Sequence, residues 1–266
     1  MKIKKRAVAF LDILGFKQML DTMSLEEISA KYENVIGLAE VLNRPLGDGK
    51  EEILSLFPNH PKGERWCIRN VFSDSIILVS EDETMDSVLK LLVYSWRLSQ
   101  LFMTAEMPIR GGISFGEFYI NEKSNVFLGE ALTNAYLLES KQQWAGIAID
   151  NSLIDAFPIL KEATNKPGNL FWYLFPKYSV PLKSEKTEMY HVLNWRLNLV
   201  SEKGTRALFK KSDSSAANEK IENTLEFAKY VISERGPYIS GDSVPGELQT
   251  FYVGAKQPPF PHGDEF

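Results

Sequence analysis

The chain has 266 residues, 44% of them apolar or aromatic and 24% charged, a globular composition that excludes a disordered or fibrous chain and allows a sizeable core. With 30 basic and 35 acidic residues the formal charge is -5, which argues against a general nucleic-acid binder. One cysteine (Cys67) and three scattered histidines (His60, His191 and His262) exclude a disulfide framework, a multi-cysteine zinc site and a histidine-rich metal centre.

The opening MKIKKRAVAFLDILGF has a basic start and an apolar run, but Asp12 interrupts that run and it is too short to span a bilayer. Residues 6–14 are expected to form a strand buried on both faces. No stretch of 18 uncharged apolar residues occurs, so a soluble, cytoplasmic chain without stable membrane insertion is expected. Past Gly15 and Phe16, Ser24 and Glu27 have capping-box spacing. Ile28, Tyr32, Val35, Ile36, Ala39 and Leu42 recur at helical spacing, so the strand feeds a long helical region.

Pro45, Gly47, Gly49, Pro58, Pro61 and Gly63 mark a turn-rich excursion over 43–65. The runs WCIRNVF and SIILVS flank Ser73-Asp74 and read as a hairpin. Asp82 or Glu83 is expected to open a helix over TMDSVLKLLVYSWRLSQLFM, with Trp96 and Phe102 in the core. PIRGGISFGEFYI (108–120) reads as a strand with a turn near Gly116, and GEALTNAYLLESKQ (129–142) as a helix. Residues 146–149, 170–175 and 189–195 are further strand candidates. A late helix over 216–234 puts Ile221, Leu225, Ala228 and Ile232 on one face, and the Gly- and Pro-rich tail from Gly236 is irregular. Cys67, His191, Trp66, Trp144, Trp172 and Trp195 read as structural. The order β, α, β-hairpin, α, β, α, β fits an α/β sandwich. The expected division is 1–212 as one catalytic domain, with 43–65 inserted, and 213–266 as a helix and tail packed on it.

Asp12 and Asp74 each interrupt a strong strand run, AFLDILGF and VFSDSIIL. A buried carboxylate needs compensation. If the hairpin lies beside the first strand, the two acids meet at one end of the sheet, where hard divalent cations carrying a nucleoside triphosphate would neutralise them. Two unrelated strand-end aspartates are the plain alternative.

FLDILGF (10–16), FSDSI (72–76), IRGGISFGE (109–117) and GEALTNAYLLES (129–140), in that order over the first 150 residues, resemble the catalytic domain of the class III nucleotidyl cyclases, the adenylate and guanylate cyclase family. The spellings FLDILGF, RGG and GEAL look closest to the bacterial pyrimidine (uridylate or cytidylate) cyclases of Pycsar anti-phage signalling. The resemblance implies a ferredoxin-like βαββαβ sandwich core with a C-terminal extension. It implies a homodimer with active sites at the interface, and two Mn²⁺ or Mg²⁺ ions. The reaction implied turns a pyrimidine nucleoside triphosphate, UTP ahead of CTP, into a 3',5'-cyclic nucleotide that alerts an effector. Asp12, Asp74 and the carbonyl of Ile13 would hold the metals, and Leu14, Gly15 and Phe16 would offer amides to the phosphates.

The pattern is broken in places. Thr133 and Leu137 stand where the family has an asparagine and an arginine, with Asn134 one step on. Asn70 and Val126 stand where the base-selecting lysine and its acidic partner fall, so Asn70 and Asn125 are candidate base readers. Arg110, beside Gly111-Gly112 where a ligand can approach the backbone, is the leading cation for the phosphates, followed by Arg69. Lys203, Arg206, Lys210 and Lys211 form a late basic run. An inactive nucleotide-binding module and a purine cyclase are the competing readings.

Overall fold

Strand β1 (Lys4–Ile13) is central to the sheet, with Ala7, Val8, Ala9 and Leu11 fully buried, as expected of a strand covered on both faces. In this computed structural model, residues 3–42, 65–167, 170–196, 206, 209 and 214–235 are described. Residues 43–64 of the excursion expected over 43–65, the lysines 203, 210 and 211 and the tail from Gly236 lie outside them. β1 runs antiparallel to β3 (Ser75–Val79) on one side and to β4 (Ile109–Asn121) on the other. β2 (Ile68–Phe72) pairs with β3 through the expected hairpin, and Ser73 takes a left-handed φ of 55° to make the tight turn.

The order β2-β3-β1-β4 is that of the βαββαβ sandwich. The sheet continues with β6 (Ile147–Ile149), parallel to β4, then β8 (Thr187–Val192) and β7 (Lys177–Pro181), while β5 (Val126–Gly129) folds back on β4. The long helical region divides into α1 (Phe16–Thr22) and α2 (Leu25–Leu42). Ser24 and Glu27 form the capping box at the break: the Glu27 amide donates to Ser24 Oγ (3.2 Å) and the Ser24 amide to Glu27 Oε2 (2.9 Å). α3 (Met85–Thr104) is capped by Thr84 rather than Asp82 or Glu83. The Thr84 hydroxyl accepts from the Ser87 amide (3.3 Å), while Asp82 instead accepts from the Thr84 amide (3.0 Å).

α2 and α3 cover one face of the sheet, with Trp96 and Phe102 in the core. α5 (Asn151–Ala156), α6 (Pro158–Asn165) and α7 (Leu170–Leu174) join that core. α4 (Glu130–Lys141) packs on β4 and β1, and α8 (Ser215–Arg235) shares a second cluster with Leu138, Trp144 and Val192.

Three expectations need correction. Residues 170–175 are a helical turn, closed by the Phe175 amide on the Phe171 carbonyl (2.9 Å), so the aromatics bury as a helix and not as a strand. No turn occurs at Gly116, because β4 continues unbroken and Gly116 pairs with Arg6. The buried side of α8 is Thr224, Leu225, Phe227, Ala228 and Val231, and Ile232 stays 39% exposed. Among the described residues no helix is long and apolar enough to cross a membrane.

Candidate active site

The register of β1 assembles the site. Asp12 lies opposite Ser75 on β3 and opposite Arg110 on β4. One residue on, the Ile13 amide donates to the Asp74 carbonyl (3.0 Å), pinning the hairpin turn to the end of β1. Both aspartates are half-buried. Burial first, then the charges of Glu139 and Asp74, push the Asp12 carboxyl up to about 6, against the opposing pull of Arg110 and Lys183. Asp12 therefore lacks a cation close enough to offset its burial.

Arg110 does not supply it. Its guanidinium is buried, forms an ion pair with Glu139 of α4, and donates from Nη1 to the Gln142 carbonyl (3.1 Å). The cation expected to meet phosphate is engaged inside the fold. The adjacent glycines also serve packing. A Cβ on Gly112 would lie 2.2 Å from the Ala135 carbonyl oxygen, so it is the α4 backbone, not a ligand, that approaches here. Gln142 locks this seam: its side-chain amide donates to the carbonyls of Gly111 and Leu138 (2.8 Å each) and accepts from the Trp144 indole (2.7 Å).

Arg69 is exposed and donates to the Tyr94 hydroxyl (2.9 Å). Asn70 donates directly to the side-chain carbonyl of Asn125, which sits at a left-handed φ of 53° in the β4–β5 turn. The two candidate base readers are thus brought together. On α4, Thr133 turns back to the Gly129 carbonyl (3.2 Å), Asn134 is half-buried, and Leu137 is 54% exposed. Gly15 adopts a left-handed φ of 76° to turn β1 into α1, which Phe16 opens. Arg206 pairs with Glu222 (3.0 Å).

Sequence reasoning missed Glu139, which lies 29 positions from Arg110 and carries no motif of its own. It also missed the Tyr32 hydroxyl, buried with no hydrogen-bond partner among the described residues, whose proton is held more tightly by burial and by the charge of Asp74. A third omission is a cavity of about 310 Å³ just past the end of β1, lined by Leu14, Gly15, Met19, Lys220 and Thr224 among others.

Among the described residues no group of three or more His, Cys, Asp or Glu could hold a metal. The donors at this strand end are oxygen only, the carboxylates of Asp12 and Asp74, and burial makes the ionised form of Asp12 costly. That set fits hard divalent cations whose remaining ligands come from backbone, water or a phosphate.

No protein-family model matches the chain, and no curated protein matches its sequence. Among solved structures, the guanylate cyclase domain of RhGC from Catenaria anguillulae, in complex with GTP, aligns at a TM-score of 0.50 and 14% identity, covering 74% of this chain and 100% of that one. The catalytic core of a rhodopsin-guanylyl cyclase with converted specificity, in complex with ATPαS, aligns at 0.50 and 15% identity, covering 72% and 97%. The adenylyl cyclase CyaB from P. aeruginosa gives 0.48 and 15%, covering 73% and 96%. The chain has the mixed α/β architecture of the class III nucleotidyl cyclase catalytic domain.

Proposed function

We propose that the chain is a nucleotidyl cyclase, converting a nucleoside triphosphate into a 3',5'-cyclic nucleotide and pyrophosphate. The observation that carries this reading is the meeting of Asp12 and Asp74 at one strand end, fixed by the bond from the Ile13 amide to the Asp74 carbonyl (3.0 Å). Asp12, Asp74 and the Ile13 carbonyl would hold two Mn²⁺ or Mg²⁺ ions. When bound, the ions acidify the ribose 3'-hydroxyl and neutralise the triphosphate. The 3'-oxygen gives its proton to solvent and bonds to the α-phosphorus. The bond from that phosphorus to its bridging oxygen breaks, and pyrophosphate leaves with the electron pair. The chain's own part is to orient these groups. Gly15 and Phe16 would offer amides to the phosphates, and Asn134 lies on the helix covering β1 and β4.

Asn70 and Asn125 together present an amide donor and acceptor that can meet a base edge. The pyrimidine reading rests on this pair and on Val126 in place of an acid, and UTP ahead of CTP only on the resemblance of FLDILGF, RGG and GEAL to the pyrimidine cyclases. The purine reading is favoured by the architectural likeness to structures holding GTP and ATPαS. A homodimer would cover Phe72, 80% exposed, together with Tyr136 and Leu137. A cyclic pyrimidine product would act on an effector in anti-phage signalling.

Incubation with each of the four nucleoside triphosphates and Mn²⁺ tests the reading. Cyclic UMP or CMP supports the pyrimidine form, and cyclic GMP or AMP the purine form. Nucleotide binding with no cyclic product overturns the cyclase reading in favour of an inactive module, in keeping with Thr133 and Leu137.

A further inference from the structure

Near its start, the last described helix is fastened to the body by three hydrogen bonds. The Ala145 amide donates to Thr224 Oγ1 (2.8 Å), Asn223 Nδ2 donates to the Gln143 carbonyl (2.8 Å), and Gln143 Nε2 donates to Glu219 Oε2 (3.1 Å). The three contacts fall within little more than one turn of α8, and Lys220 lies inside that turn. Their acceptors and donors on the body follow directly on Gln142, whose carbonyl Arg110 holds. Lys220 is thereby set on the wall of the cavity of about 310 Å³ that also includes Leu14 and Gly15, two and three residues past Asp12.

The Lys220 side chain is half-buried, and its ammonium forms no ion pair among the described residues. Burial, and then the positive charges of Arg110 and Lys183, hold its pKa below the usual lysine range, while Asp12 and Glu139 oppose them. Arg110, Lys183 and Glu139 act on Asp12 as well as on Lys220. Lys31 from α2 lines the cavity too, as do Gln18 and Thr22; Glu106 is the acid on the wall.

We infer that Lys220 binds the terminal phosphates of the nucleoside triphosphate in this cavity, so that the phosphate chain draws its cation from α8 of the same subunit. The inference rests on the cyclase reading. It answers the question that reading leaves open, since Arg110 is engaged by Glu139 and Leu137 has no donor. An ammonium held in a half-buried wall stabilises charge gathering on departing pyrophosphate more than one in open water does.

The test uses the full chain and the variants Lys220→Gln, Lys220→Arg and, as a control on the far helix α6, Lys161→Gln, with folding checked by circular dichroism. Calorimetric titration with inorganic tripolyphosphate, without metal, reads the cavity independently of turnover. Lys220→Gln is expected to weaken binding about tenfold, the scale of one charge-assisted contact. Lys220→Arg and Lys161→Gln should stay near wild type. In turnover assays, Lys220→Gln should lower kcat more than it raises KM. Tripolyphosphate binding that is absent from the wild type, or unchanged in Lys220→Gln, overturns the inference even where cyclic product forms. Binding that depends on Lys220, in a protein that cyclises none of the four triphosphates, leaves a polyphosphate site standing and overturns the cyclase reading instead.

Discussion

Asp12 and Arg110 face each other across β1 and β4, yet the guanidinium turns to Glu139 and leaves the aspartate under-compensated. In the cation-free chain this makes the ionised form of Asp12 costly. A folded pKa of about 6 against a usual 3.8 means that stability is lost as pH climbs between those values and stays lost above them. Asp12→Asn is therefore expected to raise the Tm of cation-free protein at neutral pH, with the gain fading as pH falls below about 6. A neutral-pH Tm at or below that of the wild type contradicts this electrostatic picture.

With Mn²⁺ and substrate present, the same substitution should have the opposite consequence for function. Asp12→Asn and Asp74→Asn are each expected to abolish cyclic product in folded protein. Chromatography of the reaction mixture decides the matter, and retained turnover in both variants removes the metal assignment.

The Arg110–Glu139 pair is buried on both sides. Removing one partner strands the other charge in the interior, so Arg110→Met is expected to cost about 3–5 kcal/mol. Arg110→Met combined with Glu139→Leu should recover much of that loss. Urea denaturation of the wild type, both single variants and the double variant measures the coupling.

Gly112→Ala sets a methyl group 2.2 Å from the Ala135 carbonyl oxygen and 3.0 Å from the Glu139 amide nitrogen. Both are backbone atoms of α4, so the helix must shift as a unit. A loss of about 1–3 kcal/mol is expected from overpacking. An unchanged denaturation midpoint would show that α4 rides on the sheet more loosely than described.

Asn70→Ala removes the donor to Asn125. If the pair reads the base, relative turnover among the four triphosphates should shift by about tenfold, one hydrogen bond's worth of selectivity. A uniform fall across all four would instead assign the pair to holding the hairpin.

Much of this was legible in the sequence because the signals were local. Alternation and β-branched runs marked β1 and the hairpin, Ser24 and Glu27 announced their own cap, and helical spacing marked α2, α3 and α8. The coincidence of Asp12 and Asp74 followed once the hairpin was placed beside β1. What was hidden depends on distant partners. Arg110 looks the same in sequence whether it meets phosphate or Glu139, and only the docking of α4 decides it. Gly111-Gly112 likewise signals a close approach without saying by what. The short aromatic segment 170–175 has the composition of a strand, and its single helical turn is imposed by packing against the core. β5 and β7 take their place by pairing with β4 and β8, which no local signal announces.

The side chain of Gln142 spends its nitrogen on two carbonyls and its oxygen on an indole, in a place with no access to water. Exchanging that amide for a carboxylate, as in Gln142→Glu, would barely change its shape, yet would turn a donor into an anion facing two lone-pair-bearing oxygens. One changed atom at this position would therefore pry apart the strand, the helix and the turn on which α8 hangs.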